Sequence, residues 1–154
     1  MSKVQNVFLI GAKSLGAYGG YETFVYKLTE YHQNNPNIKY HVACKANGDG
    51  CMDETKLDNV KRVSDSEFEF HNARCFKIHI PQIGPAQAIY YDVAALRECC
   101  KYIKKNNIEN PIVYIMACRI GPFAKHFYKE IHRLGGKVYL NPDGHEWMRA
   151  KWSK

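Results

Sequence analysis

The sequence predicts an α/β fold with a doubly wound, mostly parallel sheet that forms a single domain over residues 1–154. One observation is that short apolar runs alternate with amphipathic helical segments along the whole chain. Another is that runs such as residues 7–10 and 112–116 are continuously apolar, as expected of strands that helices cover on both faces. Because right-handed helical crossovers join neighbouring strands of this kind, we expect the strands to lie parallel.

Each element can be placed from its own local pattern. Gly11 ends the first apolar strand, and Pro122 stands where the first turn of the last helix would begin. Gly135 and Gly136 stop that helix. The predicted strands are residues 7–10, 40–44, 68–70, 75–80, 112–116 and 138–140, and the predicted helices are residues 21–31, 86–105 and 121–133.

The segment 68–80 alternates with a period of two, and Asn72-Ala73 is typical of a tight turn. We therefore predict an antiparallel pair or an inserted strand beside the parallel strands. Together these elements indicate a Rossmann-like sheet. The residues predicted to face the core are Phe24, Leu28 and Tyr31 in the first helix and Ile89, Val93, Leu96 and Cys100 in the second.

Composition bounds the function. Hydrophobic residues make up 45% of the chain, which excludes a disordered protein, and no apolar run approaches the roughly 20 residues that span a bilayer. The first ten residues show no signal-peptide pattern, so we expect a cytoplasmic location. The six cysteines form no C-x-x-C pair and are predicted to be reduced thiols. The net charge of +7 favours anionic partners such as nucleic acid, acidic phospholipid or phosphorylated small molecules.

A glycine-rich loop, residues 11–23, joins the first strand to the first helix. Glycines let the backbone approach a ligand, and a helix N-terminus favours negative charge, so a phosphate or diphosphate is the expected guest. The spacing matches neither the dinucleotide fingerprint nor the P-loop. A flexible turn without ligand, and a capping role for the glutamate, remain the alternatives. The candidate binding residues are Gly16, Gly19, Gly20, Glu22 and Thr23.

Candidate binding residues also follow two further predicted strands. Arg119, after the strand 112–116, is a candidate anion contact or an ordinary exposed arginine. The run 141–152 gathers carboxylates, cations and both tryptophans of the chain directly after the last strand. Its carboxylates and amide could orient hydroxyls, its cations could hold phosphates, and Trp147 could stack on a sugar. Alternatively, the run could have only a structural role, as a turn followed by a packed helix. The candidates in this run are Asn141, Asp143, Glu146, Trp147, Arg149 and Lys151.

These segments resemble a bacterial glycosyltransferase group related to rhamnosyltransferases. Residues 16–23, G-A-Y-G-G-Y-E-T, are similar to the R-Y-G-G-F-E-T loop of that group. Residues 141–152, N-P-D-G-H-E-W-M-R-A-K-W, resemble its N-x-D-G-x-E-W-x-R-x-K-W motif almost residue for residue. Ile80-Pro81 and the following segment 89–92 are similar to its middle part. One departure is Ala17, where the group often has a basic residue that would contact phosphate.

The resemblance implies a GT-B fold, of which this chain would be the amino-terminal, acceptor-side domain. The carboxyl-terminal domain, which binds the donor, would be missing from the chain. The implied donor is a nucleotide sugar, commonly dTDP-L-rhamnose, and the implied acceptor is a lipid-linked saccharide in polysaccharide synthesis. Enzymes of this fold generally need no metal, so no metal or cofactor is expected. Asp143 and Glu146 are the predicted catalytic residues, because they would position the acceptor hydroxyl and Asp143 would assist its deprotonation.

The expected partners are therefore the donor, the acceptor, the second domain and the cytoplasmic membrane face, to which the protein would bind peripherally; nucleic acid is not expected. Two alternative functions differ in how well they fit the sequence. A nucleotide-binding domain of another enzyme class is disfavoured because Cys44-Lys45-Ala46 stands where the ribose-binding acid belongs. A non-enzymatic module that binds an anionic polymer or membrane is permitted by the net charge.

Overall fold

The computed structural model describes residues 4–15, 19–116 and 123–140. These residues form one seven-stranded sheet with three flanking α-helices. The strands are Gln5–Ile10 (β1), Ile38–Lys45 (β2), Lys61–Arg62 (β3), Glu67–Phe70 (β4), Ala73–Ile78 (β5), Ile112–Ile115 (β6) and Lys137–Leu140 (β7). The helices are Gly20–Tyr31 (α1), Gln87–Lys105 (α2) and Ala124–Arg133 (α3). Within these described ranges, none of the helices has the length and apolar character needed to cross a membrane.

The strand order is β3-β4-β5-β2-β1-β6-β7. The five strands from β5 to β7 run parallel, whereas β3 and β4 pair antiparallel at one edge. From β1 the chain passes to β2, reaches the far edge at β3, and comes back through β4 to β5. Helix α2 then crosses to the other side of β1, where β6 and β7 follow. The predicted fold class, a doubly wound and mostly parallel α/β sheet, is confirmed, and so is the antiparallel pair within 68–80.

Helices cover both faces of the sheet and produce two apolar cores. Helix α1 packs on one face, where Val25 contacts the core that contains Leu9, Val42 and Phe68. Helices α2 and α3 pack on the opposite face, where Leu96 and other residues bury the side chains of alternate strand positions. Alternate residues of the inner strands β1, β2, β5 and β6 thus enter different cores, which explains why these strands are largely apolar.

The inward faces of the first two helices differ from the prediction. Phe24 and Tyr31 lie outside the core, Tyr31 being 83% exposed, and α1 buries Val25 and Thr29 instead. In α2, Leu96 and Cys100 are buried as predicted, whereas Ile89 points outward. Both helices carry apolar residues on more than one face, so the spacing alone did not identify the side that meets the sheet.

The turn between β4 and β5 lies one residue earlier than predicted. His71 and Asn72 form it, with φ values of 55° and 60°. Two consecutive positive φ values are typical of the tight turn that matches the twist of an antiparallel pair. Asn adopts this conformation readily, whereas His does so less often, which is why the pattern favoured the wrong pair of residues.

A buried polar cluster lies beneath the carboxyl-terminal half of α2. His41, only 1% exposed, accepts a 2.8 Å hydrogen bond at Nδ1 from Arg74 Nε and donates one of 2.8 Å from Nε2 to Asn6. The guanidinium of Arg74 also bonds Glu67 at 3.1 Å and lies over the ring of Tyr102. Burial above all, and then the charge of Arg74, lowers the pKa of His41 to about 3, so the ring is neutral.

Five of the six cysteines fall within the described residues, and all five are free thiols. Only Cys51 among these five is exposed, whereas Cys44, Cys75, Cys99 and Cys100 are buried. Burial raises the pKa of the Cys100 thiol to about 11, which keeps it protonated and unreactive. The buried thiols act as small apolar side chains of the two cores.

Candidate functional site

The candidate site lies at the edge of the sheet where the parallel strands end. In the ladder Ile10 pairs with Ile115, and Ile115 pairs with Leu140, so β1, β6 and β7 finish at one level. The order of connections reverses between β1 and β6, and open α/β sheets bind ligands in the crevice at such a switch point. The glycine loop leaves β1 at this crevice.

Contacts from three directions hold the beginning of the loop. The carbonyl of Ala12 accepts a hydrogen bond from the Tyr91 hydroxyl of α2. The carbonyl of Lys13 accepts one of 2.8 Å from the amide of Lys45 at the end of β2. The amide of Lys13 donates a 2.8 Å bond to Glu22 Oε2, so the carboxylate ties the end of β1 to the first turn of α1. The loop is therefore anchored to both helical layers.

The two glycines at the start of α1 have different roles. Gly19 has φ +154°, and a Cβ atom there would lie 2.0 Å from Glu22 Oε1. A side chain at this position would push the Glu22 carboxylate away from the Lys13 amide. A Cβ atom at Gly20, in contrast, would meet no described atom within 4 Å. Packing explains Gly19, whereas close approach of a ligand to the backbone would explain Gly20.

Two hydroxyls beside the loop have no hydrogen-bond partner among the described residues. The Oγ of Ser14, whose residue is 2% exposed, is one, and the hydroxyl oxygen of Tyr21 is the other. Buried hydroxyls are usually paired, so the partners of these two groups lie outside the described residues or are supplied by solvent or a ligand.

The described residues contain part of the predicted site. Gly19, Gly20, Glu22 and Thr23 lie together at the start of α1, where the Thr23 amide bonds the Gly19 carbonyl at 3.0 Å and its side chain is exposed. One carboxylate oxygen of Glu22 is bonded to the loop itself. The predictions that fall outside the described residues concern Gly16, Arg119, Asn141, Asp143, Glu146, Trp147, Arg149 and Lys151.

Sequence reasoning missed several residues that shape this edge. The sequence pattern assigned no role to Ser14 and identified Tyr91 only as a helix residue. The only signal for Ser14 was its position four residues after the last strand residue, Ile10, within the strand exit. Nothing in the pattern indicated that the hydroxyl of Tyr91 would reach across to the end of β1, because that contact links residues 79 positions apart.

The end of β2 carries a cation where dinucleotide-binding domains carry a carboxylate. Lys45 is buried, and its ammonium donates a 2.8 Å bond to the carbonyl of Asp49. The Asp49 carboxylate is exposed and lies 3.6 Å from the ammonium of Lys13. A ribose diol would therefore meet an ammonium group at this strand end, which argues against the dinucleotide-binding alternative. Among the described residues, no three His, Cys, Asp or Glu side chains are grouped as a metal site requires.

No curated protein matches the chain. Among solved structures, a similar chain from E. coli is described as "Trehalose-6-phosphate from E. coli bound with UDP-2-fluoro glucose". The two share 8% identity and a TM-score of 0.47 over 88% of this chain, which spans about a third (32%) of that structure's length. The family model described as "Domain of unknown function (DUF1972)" matches residues 4–154, and the chain therefore belongs to the DUF1972 family.

Proposed function

We propose that this chain is the amino-terminal, acceptor-side domain of a GT-B glycosyltransferase. The intact enzyme transfers a sugar, L-rhamnose from dTDP-L-rhamnose, to a lipid-linked saccharide in the synthesis of a cell-surface polysaccharide. Its partners are the nucleotide-sugar donor, the acceptor, a carboxyl-terminal donor-binding domain and the cytoplasmic face of the membrane. The proposal rests first on the two sequence motifs at 16–23 and 141–152.

The observation that carries the proposal is the common level at which Ile10, Ile115 and Leu140 end their strands. The motif-bearing loop follows the first of these residues, and the motif 141–152 follows the last. Two segments that lie more than a hundred residues apart in sequence therefore leave the sheet at one edge. Sugar transfer requires such a convergence, because holding two reactants in register can supply about 7–11 kcal/mol of the barrier.

The proposed roles follow from the chemistry of each group. The glycine loop and the first amides of α1 hold phosphate oxygens, with Glu22 fixing the base of the loop. In the run 141–152, Asp143 accepts the proton of the acceptor hydroxyl and Glu146 orients it. The cations of that run grip phosphates, since guanidinium can bond two oxygens at once. The cations meant are Arg149 and Lys151. Further contacts to the substrates are proposed for Arg119, Asn141 and Trp147.

A transfer assay tests this function. The substrates are dTDP-L-rhamnose and a short-chain lipid-diphosphate saccharide, and the samples are the 154-residue chain alone and the chain together with its proposed donor-binding domain. We expect turnover only from the two-domain protein. Asp143→Asn should lower kcat about 100-fold or more, with an unchanged thermal midpoint. Asp65→Asn, at an exposed position on the β3–β4 connection, is the matched control.

Two results would contradict the proposal. Robust sugar transfer by the 154-residue chain alone would show that no second domain is needed. If Asp143→Asn and Arg149→Gln each lowered the thermal midpoint yet kept full specific activity while folded, the run 141–152 would be a structural element, as in the turn-and-packing alternative.

A further inference from the structure

The outward face of the α2–α3 layer combines an apolar depression with a strong excess of positive charge. Ile83, Ile89, Tyr90 and Phe123 are 45%, 38%, 42% and 45% exposed, respectively. With Val93 they line an open depression of about 470 Å³, and Arg97 lies at its margin. A solvent-facing helix surface is normally polar, so four adjacent exposed apolar side chains indicate a binding surface rather than a solvated face.

Basic residues continue this surface along the helices. The exposed side chains of Tyr90, Arg97, Lys101 and Lys104 form one stripe of α2, which changes from apolar to basic at Arg97. Helices α2 and α3 together carry seven lysines and arginines against three acidic residues, and one of the acidic residues, Asp92, is buried. Helix α1, on the other face of the sheet, carries one lysine against two glutamates. The positive charge is therefore concentrated on the layer that also bears the apolar depression.

The two acidic residues of this layer that are not buried, Glu98 and Glu130, are paired with cations of the same layer. Glu98 lies 3.5 Å from Lys101, and Glu130 bonds both Lys104 at 3.1 Å and Arg133 at 2.7 Å. Arg97 has no ion-pair partner among the described residues. Since the cations outnumber the carboxylates, the surface as a whole attracts anions.

We infer that this face of α2 and α3 docks on an anionic lipid bilayer. The apolar side chains at the start of α2 would enter the boundary between head groups and acyl chains, and the cations further along would lie against lipid phosphates. Helix surfaces that bind membranes in the interfacial plane combine these two properties. A nucleic acid would match the cations but would leave the apolar depression unused.

This face of α2 and α3 would be the surface by which the protein binds the membrane named in the proposed function, and the inference rests on that function. Tyr90, in the apolar depression, is the neighbour of Tyr91, whose hydroxyl bonds Ala12 at the start of the glycine loop. A bilayer seated on this face would therefore lie beside the candidate site. A lipid-linked acceptor could reach the strand ends without leaving the membrane.

Vesicle co-sedimentation of the 154-residue chain tests the inference. The vesicles are phosphatidylcholine alone and phosphatidylcholine mixed with phosphatidylglycerol. We expect binding to the mixed vesicles only. Each basic residue near an anionic surface strengthens binding about fivefold, so Arg97→Gln, Lys101→Gln and Lys104→Gln together should weaken it roughly 100-fold. The control is Lys27→Gln, Lys56→Gln and Lys61→Gln, which removes the same charge from exposed positions elsewhere.

The apolar part has its own test at high salt, where the electrostatic contribution is screened. Ile89→Ser with Phe123→Ser should abolish the binding that remains at high salt, whereas Tyr31→Ser with Val63→Ser, at exposed apolar positions elsewhere, should leave it intact. All four substitutions are at exposed positions, and thermal midpoints verify that each variant is folded.

Three outcomes would overturn the inference. The first is a failure of the chain to bind the mixed vesicles. The second is an equal loss of binding from both charge-removing triples, which would indicate only a net-charge effect. The third is a dimer in solution that Ile89→Ser with Phe123→Ser dissociates, with no vesicle binding. No sugar is present in this assay, so a failed docking surface and a failed transferase function give distinguishable results.

Discussion

The carboxylate of Glu22 accepts a hydrogen bond of 2.8 Å from the backbone amide of Lys13, nine positions earlier in the chain. This bond joins the first turn of α1 to the end of β1 and closes the glycine loop at its base. The glutamate of the loop motif is therefore a residue that fixes the shape of the loop. Its effect on a ligand would be exerted through the position of the backbone amides.

Glu22→Ala should lower the free energy of unfolding by about 1 kcal/mol, since a hydrogen bond to a charged group contributes roughly that much at a half-buried site. Glu22→Gln should lose less, because its amide oxygen can still accept the bond from the Lys13 amide. Glu30→Ala, in the same helix at an exposed site, is the control and should change stability by less than about 0.5 kcal/mol. Urea denaturation measures all three. Equal losses for Glu22→Ala and Glu30→Ala would show that the loop contact contributes nothing.

The adjacent glycines provide a matched pair. Gly19→Ala should destabilise the chain by about 1 kcal/mol or more, because φ at this position is +154° and the new methyl group would displace the Glu22 carboxylate. Gly20→Ala meets no described atom and should be neutral or stabilising by up to about 1 kcal/mol. Urea denaturation of both variants measures the difference, and equal effects would contradict the separate roles of the two glycines.

Gly20→Ala should affect ligand binding although it does not lower stability. If phosphate oxygens approach the backbone at Gly20, then Gly20→Ala weakens the binding of inorganic pyrophosphate without any loss of stability. Calorimetric titration of the folded variant measures this. Unchanged pyrophosphate affinity in a stable Gly20→Ala variant would show that no ligand approaches this backbone position.

The unpaired hydroxyl of Ser14 allows a similar distinction. Ser14→Ala removes a buried hydroxyl that has no partner among the described residues, so stability should stay unchanged or rise by about 1 kcal/mol. Thr29→Ala is the control, because Thr29 is equally buried and its hydroxyl donates a 2.9 Å bond to the Val25 carbonyl. That substitution should cost at least about 1 kcal/mol. A comparable loss in Ser14→Ala would mean that the serine is bonded within the folded chain.

The neutral state of His41 makes stability depend on pH. Its folded pKa of about 3 lies below the ordinary value of about 6.5, so the unfolded chain binds more protons between these two values. Stability from this residue is fully present above about pH 6.5 and is lost as the pH falls towards 3, with a slope near 1 kcal/mol per pH unit. His41→Gln should flatten that dependence in urea melts recorded across this range. An unchanged slope would show that His41 does not control the acid sensitivity.

The sheet and its parallel centre could be predicted because continuous apolar runs such as residues 112–116 have few other interpretations when they are this short. The helix faces were predicted only in part. Leu96 and Cys100 are buried as expected, whereas Ile89 and Tyr31 are exposed, because both helices have apolar residues on several sides and only the packed sheet selects one. The displaced turn at His71 has a similar cause, since a histidine with positive φ is stabilised by its surroundings, including its contact with Phe70.

The meeting of the strand ends at one edge of the sheet could be predicted, whereas the side-chain contacts at that edge could not. The glycines and the strand exits identified the edge of the sheet, because parallel strands bring their carboxyl ends together. The roles of Ser14 and Tyr91 were not predictable, since an unpaired hydroxyl and a contact between α2 and the loop depend on packing across distant parts of the chain. The sequence indicated only that Lys45 stands where a dinucleotide-binding domain has an acidic residue, and not that this lysine is buried.

An NMR titration of the ¹⁵N-labelled chain tests the central claim most directly, namely that the strand ends beside the glycine loop bind the acceptor. The ligand is a short-chain lipid-diphosphate saccharide, with the same lipid as a monophosphate without sugar for comparison. We predict that the largest amide shifts occur at Lys13, Gly19, Gly20 and Met116 and in the segment 141–152, and that they weaken in Gly20→Ala. Shifts confined to other parts of the chain, or no shifts at all with a folded spectrum, would contradict the account.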